Sequence, residues 1–313
     1  MSIAKTQIDP EKVRIFLDKK FDFKVDNLEF LRGGEFSQAF SYDTRGQSHV
    51  IKIRNTRKQF EKELRAYESI REKDNTIPIP RIFDIGLFQE NENNKLYYCI
   101  SEKVEGKILT DYRYSELKII DSFVIRMLIK IHKVDISDTK NFGSWSKFEQ
   151  TSYKSWKNYI LDFINGQKVY WNKIYSNGIF EKELHQTLSK EIEELLEYSS
   201  EKRYLVHGDY GYDNVLAIPS GEITGVIDWE NSMFGDFVYD IAWLDFWGFV
   251  QENNYYKIYK RIYEKIYEDK IINYNERIRC YRLYIGLGAL AFFSDLSQKK
   301  KYLSAKERVE KLI

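Results

Sequence analysis

Leu205-Val206-His207-Gly208-Asp209-Tyr210-Gly211-Tyr212-Asp213-Asn214-Val215-Leu216 sets a polar loop between two short apolar runs. Short apolar runs bounded by glycine and polar residues are strand signals, so the loop joins two strands. It holds His207, then Asp209 two residues on, then Asn214 five residues after that. Past Pro219-Ser220-Gly221 another apolar run, Gly225-Val226-Ile227, ends in Asp228-Trp229-Glu230. The turn between residues 214–218 and 222–227 predicts a hairpin whose open end brings Asn214 and Asp228 together.

These residue types suit phosphoryl transfer. A carboxylate at Asp209 can take the proton of a hydroxyl as its oxygen attacks a phosphoryl group. The amide oxygen of Asn214 and the carboxylate of Asp228 are hard ligands of the kind magnesium takes. A lone His-Gly-Asp is as a rule only a turn. The whole set, His-x-Asp-x4-Asn, hairpin and Ile-Asp-Trp, is far more specific.

Working outward toward the N-terminus, residues 10–21 have helical spacing. Strands are expected at 28–31, 36–42 and 49–53, with Gly33-Gly34 in the first turn. A helix at 59–70 is broken by Ile77-Pro78-Ile79-Pro80, and strands follow at 81–87 and 96–101. This reads as a five-stranded antiparallel sheet with one inserted helix. Lys52 sits among apolar neighbours in Val50-Ile51-Lys52-Ile53. Strand side chains alternate, so it can point to solvent or serve as a cation for nucleotide phosphates. Glu61 and Glu63 on the 59–70 helix are its candidate partners, Glu63 favoured as one turn before Tyr67 on the inward side. Backbone N–H groups at Gly34 and Ser37 can cradle phosphates. The connector after the fifth strand, Ser101-Glu102-Lys103-Val104, is either a plain linker or a backbone edge for adenine.

After the connector the pattern turns helical, with helices expected at 122–132, 180–198, 236–249, 255–267, 274–296 and 304–313. The division falls at 105/106: a nucleotide-binding part, 1–105, with its hinge at 101–106, and a catalytic and substrate-binding part, 106–313. The fold class is α+β.

The chain has 313 residues and 43% hydrophobic residues, ample for packed cores. Its formal net charge of +1 gives no reason to expect a nucleic-acid or membrane-surface partner. Cys99 and Cys280 lie far apart in apolar company, which reads as reduced core thiols in a cytoplasmic protein. The first residues lack the apolar core of a signal peptide. Either a monomer or a homodimer is compatible with these totals.

Val206-His207-Gly208-Asp209 through Asn214, Val226-Ile227-Asp228-Trp229 and Phe234-Gly235-Asp236-Phe237-Val238-Tyr239-Asp240-Ile241-Ala242 resemble the aminoglycoside phosphotransferase family. Lys52, Glu63 and Ile131-His132-Lys133-Val134-Asp135 add to the likeness, which covers nearly the whole chain. Residues 225–236 and 79–86, Tyr98-Cys99-Ile100-Ser101 and the segment around Tyr170-Trp171 look like the hygromycin B phosphotransferase branch. The resemblance implies a bilobal protein-kinase-like fold and an ATP- or GTP-dependent O-phosphotransferase that inactivates an antibiotic. It implies Asp209 as the base, Asn214 and Asp228 on magnesium, Lys52 on the α- and β-phosphates paired with Glu63, residues 101–104 as the adenine hinge, and Asp236 as mainly structural. Trp-Glu after Asp228, where protein kinases have Phe-Gly, argues against a protein-kinase activation switch.

A polycationic acceptor needs carboxylates and aromatic faces. Glu230, Asp240, Asp245 and Asp295, with Trp229, Trp243, Phe246, Trp247 and Phe292, are the candidates, although Trp243, Phe246 and Trp247 also fit the core face of a helix. Two rivals remain: a metabolic kinase of the same fold acting on choline, a sugar or an amino alcohol, and a nucleotide-binding module without catalysis.

Overall fold

The computed structural model describes residues 7–31, 36–91, 94–144, 153–166, 168–248 and 254–313. Gly34 falls outside them. The chain divides into two compact units, one running to Ile108 and taking in Val215–Glu230, the other made of Leu109–Asn214 and Asn231–Ile313.

In the first unit, helix α1 (Pro10–Phe21) starts where the Asp9 carboxylate accepts the Glu11 N–H and Pro10 presets the first turn. Strands β1 (Asp26–Leu31), β2 (Gln38–Thr44), β3 (Gln47–Arg54), β4 (Ile82–Asn91) and β5 (Asn94–Glu102) form the expected antiparallel sheet, in the order β1-β2-β3-β5-β4. Helix α2 (Lys58–Lys73) stands between β3 and β4 in the chain. Val13 and Leu17 of α1 pack on Phe40, Tyr42, Ile51, Ile53, Tyr98 and Ile100, one face of three adjacent strands. Alternation along β3 therefore sends Lys52 and Arg54 to the opposite face. A second sheet joins β6 (Lys107–Ile108) to the hairpin β9 (Val215–Ala217) and β10 (Ile223–Val226).

The second unit is mainly helical. Helix α3 (Tyr114–Ile131) buries Leu117, Ile120, Val124, Leu128 and Ile131. Helices α4 (Trp156–Leu161), a π turn (Asp162–Gly166), α5 (Lys168–Ser176) and α6 (Lys182–Leu195) follow. Helix α7 (Val238–Trp247) then precedes α8 (Tyr255–Tyr267), α9 (Tyr274–Asp295) and α10 (Lys299–Glu310). A three-stranded sheet sets β11 (Met233–Gly235) between β7 (Gly143–Ser144) and β8 (Tyr204–Val206), and β8 runs straight into the loop at His207.

A buried ion pair orders this unit. Arg277 of α9 grips Asp236 with two guanidinium nitrogens, while the Tyr281 hydroxyl and the Ser200 and Val238 N–H groups donate to the same carboxylate. Asp236 thus anchors the start of α7. No described helix is long and apolar enough to cross a membrane.

Candidate active site

The loop after β8 is held from below by Asp240. This carboxylate is fully buried, and its two oxygens accept the backbone N–H groups of His207 and Gly208, both at 2.8 Å. His132, capping α3, meets Asp240 at 3.0 Å through Nε2 and the Tyr259 hydroxyl at 2.9 Å through Nδ1. Gly208 has φ +81°, and a Cβ there would lie 2.2 Å from the Asn231 carbonyl oxygen, so the loop passes where only glycine fits. Asn214 closes the loop by donating its amide to the Asp209 carbonyl at 2.9 Å, which turns its side-chain oxygen the other way. The Tyr210 hydroxyl donates to the Val124 carbonyl, and Tyr212 to Asp121, so the tyrosines between Asp209 and Asn214 are pegs into the helical core. Asp209 is therefore presented on a loop fixed at both ends.

In the other unit, Lys52 Nζ lies 3.0 and 3.2 Å from the Glu63 carboxylate oxygens and 3.7 Å from Asp228. Glu63 occupies a place in the buried stripe of α2, with Phe60, Ala66 and Ile70. Burial, together with Asp228 and Glu230, pushes Glu63 up to about 7 against the pull of Lys52. Despite its burial, Lys52 is held above its ordinary value by Glu63 and Asp228. The cation is thus firmly retained.

Arg54 was not singled out in the sequence. Two residues beyond Lys52 on the same strand face, it pairs with Glu230, two residues beyond Asp228. The side chains are only 7% and 12% exposed, and the guanidinium lies over Phe36 and Phe60 at 5.8 and 5.9 Å. Two cations at i and i+2 of β3 therefore match two carboxylates at i and i+2 of the 228–230 turn. Asp228 sits in the left-handed region at φ +66°, a strain of about 1–3 kcal/mol that surrounding contacts must hold. The Trp229 indole donates to the Val226 carbonyl at 2.9 Å and the Val226 N–H to that of Pro78 at 2.8 Å, locking the turn. Carboxylate oxygens of Glu63, Asp228 and Glu230 lie within 4.8 Å of one another. Together they make a hard oxygen set of the kind a divalent ion such as magnesium takes.

The remaining expected site residues have definite places. The Glu102 and Lys103 N–H groups donate to the Arg81 and Ser48 carbonyls, at 2.8 and 3.1 Å, and Ser101 is paired inside the sheet. Val104 lies against Gly225 of β10. Ser37 stands directly before β2. Of the residues assigned to a cationic acceptor, Trp229 is buried, Glu230 is paired with Arg54 and Asp240 serves the loop. Asp245 faces Arg282 at 3.4 Å and accepts backbone N–H groups at the start of α8. Burial pushes its carboxyl up, the Arg282 charge pulling the other way. Asp295 pairs with Lys173. Trp243 and Trp247 are half-buried. The structure thus gathers Lys52, Glu63 and Asp228 in one unit and Asp209 with Asn214 in the other.

Residues 27–274 match the model of a phosphotransferase enzyme family. The chain belongs to that family. It is 30% identical over 296 residues to the hygromycin-B 4-O-kinase of Escherichia coli, covering 92% of this chain and 80% of that one. The crystal structure of aminoglycoside phosphotransferase APH(4)-Ia is 30% identical, with a TM-score of 0.80 over 97% of this chain and 98% of that one. A thermostable mutant of that enzyme, in ternary complex with ADP and hygromycin B, matches with a TM-score of 0.80 at 28% identity over 96% of this chain and 97% of that one. A fructosamine-3-kinase-type structure from Haemophilus somnus, 17% identical with a TM-score of 0.66 over 97% of both chains, shares the fold. The α+β, kinase-like fold expected from the sequence is the observed one, and the chain is a phosphotransferase of this family.

Proposed function

We propose that the chain transfers the γ-phosphoryl group of ATP to a hydroxyl of a hygromycin-type aminoglycoside. The observation that carries this reading is the loop 207–214, with Asp209 between backbone N–H groups braced by Asp240 and the Asn214 amide closing it. The acceptor hydroxyl gives its proton to the Asp209 carboxylate while its oxygen bonds to the γ-phosphorus. The bond from that phosphorus to the bridging oxygen breaks, and ADP leaves with the electron pair. Lys52, held by Glu63, meets the α- and β-phosphates, and residues 101–104 border the adenine. Asp228 and Asn214 would hold magnesium. When bound, that ion supplies positive charge next to the phosphate oxygens. Positioning and charge neutralisation then account for most of the acceleration. Buried, unpaired Cys99 and Cys280 suit a reducing, ATP-bearing cytoplasm.

Adenine nucleotides and hygromycin B in the related crystal structures support this donor and this acceptor over choline or a simple sugar. The test is turnover of the purified chain with magnesium and ATP on hygromycin B, kanamycin and choline, read as ADP release and acceptor mass. Phosphorylated hygromycin B is the expected product. Turnover on choline alone would replace the antibiotic reading with the metabolic one.

A further inference from the structure

The left-handed backbone of Asp228, at φ +66°, is one that few residues other than glycine adopt. A turn keeps such a residue only while its flanks are held. Upstream, the Val226 N–H donates to the Pro78 carbonyl and pins the end of β10. Downstream, a 3-10 turn (Trp229–Asn231) follows at once, and the stretch Val215–Glu230 of the first unit ends inside it. The side chain that ties this flank to the sheet is Glu230, through Arg54.

Arg54 is a fixed post. Its backbone is paired in the ladder opposite Tyr97 of β5, and its guanidinium is buried over Phe36 and Phe60. Nε has no acceptor among the described residues, so the pairing of this guanidinium is with Glu230. Residues i and i+2 of a strand stand about 6.6 Å apart on one face. Lys52 and Arg54 are therefore two posts of set spacing, and Asp228 and Glu230 lie against them in the same order.

The posts differ in what else they serve. Lys52 is divided between Glu63 at 3.0 Å and Asp228 at 3.7 Å, and nucleotide phosphates draw on it as well. A cation drawn to phosphate steadies Asp228 less. Arg54 faces Glu230 throughout.

We infer that Arg54 and Glu230 are a positioning pair, a clamp that keeps Asp228 in its left-handed conformation while Lys52 engages the nucleotide. The inference rests on the phosphotransfer reading, which makes Asp228 a magnesium ligand. Neither residue touches substrate; the pair acts through the backbone of residues 228–230. Glu230 then serves the metal carboxylate from behind and not a cationic acceptor.

The test is calorimetric titration of the full-length chain with ATP, with and without magnesium. The ratio of the two affinities reads the metal site without any turnover. Magnesium should tighten ATP binding by the wild type. Arg54→Met and Glu230→Gln each let Asp228 relax, and apparent affinity falls with the fraction of competent conformer, so the ratio should drop about tenfold while binding of ATP alone stays within about twofold. The KM for magnesium should rise by the same factor, with the KM for hygromycin B unchanged. The double variant Arg54→Met/Glu230→Gln separates positioning from stability. It strands no charge, so its melting temperature should return toward that of the wild type, whereas its ratio should stay low. Arg54→Lys keeps the charge without the planar fork and should restore part of the ratio. A wild-type ratio in both single variants, or one that returns with stability in the double variant, would overturn the clamp, as would a wild type whose ATP affinity magnesium leaves unchanged. A ratio that falls as expected, in a chain that phosphorylates no acceptor, would uphold the clamp and sink the transfer reading instead.

Discussion

Replacing Arg54 with methionine removes the cation facing Glu230 while keeping most of the stem that lies against Phe36 and Phe60. Glu230 is then a nearly buried carboxylate beside Glu63 and Asp228, with Lys52 as the cation left in the cluster. Breaking a buried pair by deleting one partner costs about 3–5 kcal/mol, because the other charge stays desolvated. The sign with pH follows from Glu230. Burial and then Asp228 already raise its pKa, and Arg54 is the first influence pulling it down. Without Arg54 it rises further. An acid raised in the folded state favours folding at low pH and loses that contribution as pH climbs through the folded value. The Arg54→Met deficit should therefore be smallest near pH 5 and grow toward pH 8. The assay is urea unfolding of wild type, Arg54→Met, Glu230→Gln and the double variant at both pH values. Neutral Glu230→Gln removes the stranded charge, so the double variant should recover most of the loss, with a coupling of roughly 2–3 kcal/mol. Additive single losses, or a deficit that shrinks as pH rises, would refute the clamp.

Asp240→Asn keeps the shape but turns one acceptor oxygen into a donor facing the His207 or Gly208 N–H. Hydrogen bonds to a charged group are worth about 1.5–3 kcal/mol, so kcat should fall more than tenfold while the KM for ATP changes little; a wild-type kcat would deny the bracing role. Gly208→Ala places a methyl against the Asn231 carbonyl at a positive φ, and should abolish turnover and lower the melting temperature by several degrees; an active, equally stable variant would show that the loop has room.

The parts of this fold legible in the sequence are those whose signals are local. Helix α1 begins and ends as expected because Asp9-Pro10 caps it and its apolar spacing is regular, and α8 likewise matches 255–267. Lys52 and Glu63 were readable from a lysine in an apolar strand and a carboxylate in a helix's apolar stripe. Helix α10 begins at Lys299 and not at the expected 304, because its first turn is three lysines and its buried face, Tyr302, Ala305 and Val309, starts only after them. Strands of two or three residues, such as β7 and β11, are too short for any periodicity to register. Partners distant in sequence are the larger loss. Arg54 shares the parity of Lys52, which was the available signal, but its carboxylate lies 176 residues on. Asp240 read as a ligand for a cation because α7 is apolar nearly all round and gives no hint of which face meets the loop.

The most direct test of the account is phosphoryl transfer from magnesium-ATP to hygromycin B by the wild type and by Asp209→Asn, with product identified by the mass of one added phosphoryl group. General-base catalysis is worth about 10²–10⁴ in rate. A wild type that phosphorylates hygromycin B, and an Asp209→Asn variant slowed by that factor with nucleotide binding retained, is the predicted result. Asp209→Asn turnover at the wild-type rate would contradict it.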